Sequence, residues 1–199
     1  MPSQVQKVIA SRGFIVGAFL WACATTAPAT KAALAPTIEG IHDALASDQK
    51  WTPYWFWGWG GTFAASGVVQ LTLEGLAEER GPRVDAATGA VSSWLGVIGL
   101  GIGQLQPEVT IPDAEDMTLM LRSVRAQARR EAAARGWVSH VLCAAVAVGS
   151  GLYLWLGEDR PVHAAINFGL NLGVGEAQIW TVPTASLDWW TETFPGEDP

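Results

Sequence analysis

Charge is what this sequence has least of. Only 16% of its 199 residues are Asp, Glu, Lys or Arg, against about 25% in ordinary soluble domains. Basic residues are the scarcer kind: 12 Lys and Arg against 19 Asp and Glu leave a formal net charge of -7. A nucleic-acid partner needs a basic surface to displace counterions from phosphate, so this balance excludes one. Cysteine is nearly absent. Cys23 and Cys143 cannot build a disulfide framework. Tyrosine is scarce too, with 2 against 11 tryptophans, an odd ratio for a soluble core.

Signatures of chemistry are missing as well. The chain holds no CxxC, HExxH, P-loop, hydrolase elbow or paired-carboxylate motif. Gly99–Gly103 reads G-L-G-I-G, but no strand precedes it, which excludes a dinucleotide loop. His42 beside Asp43 lacks a second cluster to complete a metal set. No catalytic residue, metal or cofactor is expected, and the chain is not read as an enzyme.

What is present is a series of uncharged blocks. Trp51–Leu73, Ala86–Pro107 and Gly136–Gly157 contain no Asp, Glu, Lys or Arg, and Pro161–Pro183 is interrupted only by Glu176. Each exceeds the roughly 20 residues that a helix needs to cross a hydrocarbon core. A backbone in lipid must satisfy its own hydrogen bonds, which leaves helices or closed barrels, and no block alternates in polarity as barrel strands do. The fold expected is therefore all-α. It is a four-helix transmembrane bundle with spans at about 51–73, 86–107, 136–157 and 161–183, placed in the membrane as a multi-pass protein (the cell or inner membrane if bacterial). The mean hydropathy of +0.21 reflects dilution by the polar connections.

Tryptophans gather at the block ends. Trp51, Trp55 and Trp57 open the first, Trp137 and Trp155 bracket the third, and Trp180 closes the fourth, with Trp189 and Trp190 beyond. An indole prefers the interface, where its ring is dry and its N–H reaches water or headgroups.

Residues 1–29 read as a secretory signal. Lys7 and Arg12 precede the apolar run Gly13–Ala24, and Ala27-Pro28-Ala29 offers small residues for cleavage, a pattern too short for a comfortable span. Residues 30–50 form a polar lead-in whose Ile38, Ile41 and Leu45 stand at helical spacing. The connector 108–135 predicts an amphipathic helix, with Asp113, Glu115 and Asp116 at its start and Arg129, Arg130 and Arg135 at its end. Its apolar stripe of Met117, Met120, Leu121 and Val124 suits a helix lying on a membrane surface. Residues 184–199 form an acidic, Trp-containing tail. A cleaved signal places the connector and tail outside the cytoplasm, whereas the connector's arginines pull against that under the positive-inside tendency.

The second and fourth blocks resemble one another: L-G-I-G-Q-L-Q-P-E-V-T-I-P at 100–112 against L-G-V-G-E-A-Q-I-W-T-V-P at 172–183. Two tandem helical hairpins follow from that repeat, an arrangement that some transporters use. Gly60 and Gly67 in the first block, Gly96, Gly99 and Gly103 in the second, and Gly169 and Gly173 in the fourth fall on small-residue faces that let helices approach closely. The candidate chemistry is a polar seam. His163, Asn167, Asn171 and Gln178 share a face of the fourth helix; Glu176, its repeat counterpart Gln104, and Gln70 of the first block complete the set. A carboxylate within a span signals either function or reach to the headgroups. The partners expected are the lipid bilayer and a membrane protein or second copy. The role read from this is a non-enzymatic structural or assembly module, with small-solute or proton handling along the seam as the alternative.

Overall fold

The computed structural model describes residues 35–104, 111–112 and 116–199. The expected leader, Asp113 and Glu115 of the connector, and the side chain of Gln104 lie outside the described residues. Those described are all-helical, with no strand among them: α1 Ile38–Leu76, α2 Arg80–Gln104, α3 Met117–Ala134, α4 Trp137–Leu152 running into a π-helical stretch Tyr153–Gly157, α5 Pro161–Trp180 and α6 Ala185–Thr193.

The first apolar block is not a separate helix. α1 starts 13 residues before Trp51, at an N-cap where Thr37 Oγ1 accepts from Gly40 N at 3.1 Å, so the polar lead-in and the apolar block form one rod. Pro53 lies inside it and supplies no N–H to the ladder. α3 is capped by Asp116, whose carboxylate accepts from Thr118 N at 2.8 Å. Pro161 opens α5, where its missing N–H costs nothing.

Short turns at 77–79 and 158–160 join α1 to α2 and α4 to α5, and the helices of each pair pack along one another. Both turns therefore lie at one end of the molecule. The start of α1, the connector helix α3 and the tail helix α6 meet at the other end, where they form a three-helix cap. Its core is Ile41, Ala44, Leu45, Met120, Val124, Ala128 and Trp190, all buried. The apolar stripe of α3 thus faces protein, not a membrane surface: α1 and α6 cover Met120 and Val124. The tail is ordered by the same packing, since Trp190 needs a dry site for its ring.

The helical hairpins are built the other way round. Outside the cap, the buried positions are dominated by small residues: Gly67, Thr88, Gly89, Ala90, Ser93, Ala147, Gly151 and Ala164. Large aliphatics point outward, among them Val91, Leu95, Ile98, Val141, Leu142, Ile166 and Leu170. Two helical stretches, Arg80–Ile102 and Met117–Gly157, are long and apolar enough to cross a membrane, with only 33% and 17% of their apolar windows buried.

Candidate functional site

Four of the expected seam residues, Asn171, Asn167, His163 and Glu176, fall into three groups along α5. The central one surrounds Asn171. Its Nδ2 reaches Asn167 Oδ1 at 2.9 Å one turn back on α5, Ser150 Oγ at 3.0 Å on α4 and Ser92 Oγ at 3.1 Å on α2. The amide has two protons for three acceptors, and its contacts with Ser92 and with Ser150 tie the two hairpins together.

The second group lies toward the turn end. Asp85 of α2 pairs with Arg160 at 2.8 Å and stands 3.6 Å from His163 Nε2. His163, Asn167 and Asn171 do share a face of α5, and that face looks at α2. Gly81 leaves room for the Arg160 guanidinium; a Cβ there would collide with it. Beside this pair, Arg80 grips both oxygens of Glu158 at 3.2 Å, and Tyr153 donates to Glu158 at 3.2 Å. The Arg80 hydrogen bond and charge hold the Glu158 carboxyl below its ordinary range, and those of Glu158 push the Arg80 guanidinium up. Asp159, at φ 53°, takes the left-handed conformation that lets so short a turn close.

The third group lies toward the cap. Glu176 pairs with His140 of α4, Oε2 at 2.8 Å and Oε1 at 3.1 Å from Nδ1, and Trp180 Nε1 donates to Oε2 at 3.2 Å. The His140 and Trp180 ring centroids are 5.6 Å apart. Both side chains keep 30% exposure. The spacing of residues within one chain segment carries no signal of a partner on another, so the pairing of His140 with Glu176 is not legible in the sequence.

Gln70 stays within the first hairpin, donating to Ser66 at 2.8 Å and Ser93 at 3.2 Å. Its carbonyl oxygen lies against Gly89, where any side chain would collide. Gln178 contributes its backbone carbonyl to Thr181 at 3.2 Å, and its amide is not brought to the seam. Among the glycines, Gly67 sits under Trp94, with a Cβ position 2.9 Å from Nε1, and Gly96 sits under Phe63 at 2.9 Å. Gly60 lies 3.9 Å from Leu100, while Gly99, Gly169 and Gly173 have nothing within 4 Å. Gly103 lies in α2, at the edge of the described residues. Gly89, Gly151 and Gly175, which make close approaches to Gln70, Phe168 and Cys143, carried no signal in the spacing rules.

The cap holds a carboxylate pair that sequence reasoning missed. Asp48 of α1 and Glu131 of α3 are each 3% exposed. Asp48 accepts from the N–H groups of Ala185 and Ser186 at 3.1 and 2.9 Å, and from the Ser186 hydroxyl. Glu131 accepts from Leu187 N at 2.8 Å and Gln127 Nε2 at 2.9 Å. Three successive N–H groups at the start of α6 are therefore satisfied by carboxyl groups from two other helices. Burial, then the neighbouring Asp48 carboxyl, pushes Glu131 up to about 9, so at neutral pH it carries a proton and donates it towards Asp48. No cluster of three metal-ligating side chains occurs among the described residues.

Two further contacts fasten α5 to its surroundings at the cap end. Trp55 and Trp59 of α1 both donate to Thr181 Oγ1, at 3.2 and 3.0 Å. Arg135 donates to the carbonyls of Trp180 and Val182 at 2.8 and 2.9 Å, closing the end of α5. Set beside family models, curated proteins and solved structures, the chain matches none, so its function rests on the geometry above.

Proposed function

We propose that this chain is a multispan integral membrane protein serving a non-enzymatic, structural or assembly role. In this reading the apolar segments of α1, α2, α4 and α5 cross the bilayer as two hairpins. The cap stands on one side and the two turns on the other. The observation that carries the membrane assignment is the inverted packing of the hairpins: Gly, Ala, Ser and Thr inside, and Leu, Val and Ile outside. Lipid makes no demand that large apolar residues be buried, and helices in it associate through small residues and interhelical hydrogen bonds. A water-soluble protein rarely leaves a contiguous apolar patch beyond a few hundred Å². Trp51, Trp57, Trp137 and Trp180, all exposed, stand where the apolar segments meet the cap, the depth that indoles favour.

The assembly role is supported by how the polar residues are used. Asn171, Asn167, Gln70 and Glu176 all bond across or along helices of this chain, whereas Gly99, Gly169 and Gly173 present open faces to whatever surrounds them. Those faces suit a membrane-protein partner or a second copy. The alternative, solute or proton handling, draws on the His140–Glu176 pair lying on the same helices as Asn171.

Two experiments decide between these readings. Membranes washed with alkaline carbonate should retain the protein, and only detergent should release it; release by the wash alone sinks the membrane assignment. Glu176→Gln should leave assembly and growth-linked function intact. Loss of a proton- or solute-dependent activity with assembly preserved would move the assignment to the alternative. Cysteines placed at the exposed positions Thr118 and Thr191 should react together from one side of the membrane, which fixes the side of the cap.

A further inference from the structure

At the junction of cap and hairpins, an open groove of about 540 Å³ runs between α1 and the segment that joins α5 to α6. One wall is aromatic. Trp51, Tyr54 and Trp55 come from successive turns of α1, and the Trp51 and Tyr54 rings form a wedge, 5.9 Å between centroids and 55° between planes. Both are open to the surroundings, at 53% and 68% exposure. The other wall is acidic. Asp188 stands exposed, with Oδ2 accepting from the Thr184 hydroxyl at 3.0 Å; Asp48 lies at the inner end, buried with both oxygens bonded to Ala185 and Ser186, so Asp188 is the acid that the groove presents. No Lys, Arg or His lines the groove.

Open aromatic faces beside carboxylates recognise an ammonium cation, through the ring quadrupole and through charge. The molecule already displays the first of these attractions: Lys50 Nζ lies 5.1 Å from the Trp51 centroid. A second feature says what the cation is attached to. Gly58 and Gly61 continue the face of Trp51 and Tyr54 along α1, away from the cap, and both have open space within 4 Å. The result is a side-chain-free trough that leads from the groove along the apolar part of the helix. We infer that this groove binds the ammonium headgroup of a zwitterionic phospholipid, with an acyl chain lying in the Gly58–Gly61 trough. The inference rests on the membrane assignment proposed above.

The test is native mass spectrometry of the full chain, purified in mild detergent and offered equal amounts of phosphatidylcholine, phosphatidylethanolamine and phosphatidylglycerol. The two ammonium lipids should be retained over phosphatidylglycerol by about tenfold. Trp51→Leu with Asp188→Asn should bring the three to parity. Trp57→Leu, which removes an exposed indole of α1 outside the groove, should leave the preference unchanged. Equal or better retention of phosphatidylglycerol overturns the inference, and so does a preference that survives the double substitution. Choline chloride in excess separates the two sources of the cation. Displacement of the lipid shows that the headgroup alone is read, and no displacement shows that the acyl trough contributes; both keep the groove. A chain that stays monodisperse without detergent sinks the membrane assignment instead, and that result is in hand before any lipid is added.

Discussion

The carboxyls of Asp48 on α1 and Glu131 on α3 converge on the N-terminus of α6, where Asp48 accepts from Ser186 N at 2.9 Å and Glu131 from Leu187 N at 2.8 Å. This pairing makes stability depend on pH in a direction unusual for acids. Glu131 holds its proton up to about 9 in the folded protein, against an ordinary value of 4.5. The folded state therefore binds more protons than the unfolded state between those values. Stability is fully present below about 4.5 and falls as pH rises towards 9, by about 1.4 kcal/mol per pH unit at most. Thermal unfolding in detergent should show the midpoint declining over that window. Glu131→Gln keeps an acceptor for Leu187 N and a donor for Asp48, so it should flatten the profile and raise the midpoint at pH 8.

Asp48→Ala tests the other half of the pair. It strands two backbone N–H groups and a buried hydroxyl at the start of α6, a loss of about 1–3 kcal/mol. Hydrogen exchange should accelerate selectively across 185–193, with α4 and α5 unaffected. Uniform acceleration across the chain would show that the cap and the hairpins unfold as one unit.

Much of this architecture is legible in the sequence. Uncharged blocks mark the long helices, Pro161 and the acids near Met117 mark helix starts, and the four-residue spacing of Asn167 and Asn171 brings them together as periodicity requires. The destination of each face is not legible. The stripe of Met120 and Val124 reads equally well as membrane-facing or protein-facing, because amphipathicity reports only that a face is apolar. Glu176 was matched with Gln104 through a repeat; its partner, His140, comes from an antiparallel neighbour at a separation that no local rule encodes. Asp48 and Glu131 look like ordinary surface acids until the tail folds back over them.

The glycines divide by environment, and substitution should expose the division. Gly67→Leu drives a side chain into Trp94 and should loosen the α1–α2 hairpin by about 1–3 kcal/mol, the ordinary cost of overpacking. Gly169→Leu meets open space and should leave the isolated chain as stable as before. If a partner docks on that face, the same substitution should abolish co-purification or cross-linking of the complex while the unfolding midpoint stays put.

Asn171→Leu removes the link from α5 to Ser92 and Ser150. Interhelical hydrogen bonds in membranes contribute about 0.6–2 kcal/mol, so the loss should be modest. It should appear as weaker association between hairpins when they are expressed as separate fragments, 35–104 and 116–199, and not as loss of helix content. Gln70→Leu, whose bonds stay within the first hairpin, should leave that association unchanged.

The cap draws on three separated parts of the chain, and α6 comes last. While a ribosome is still making residues 185–193, Ile41, Val124 and the two acids stand uncovered. Synthesis of both hairpins thus precedes closure of the cap, and a nascent chain stalled before Trp190 would present that unsealed surface to chaperones and proteases. Docking of α6 therefore seals Ile41 and Val124 only after both hairpins have been made.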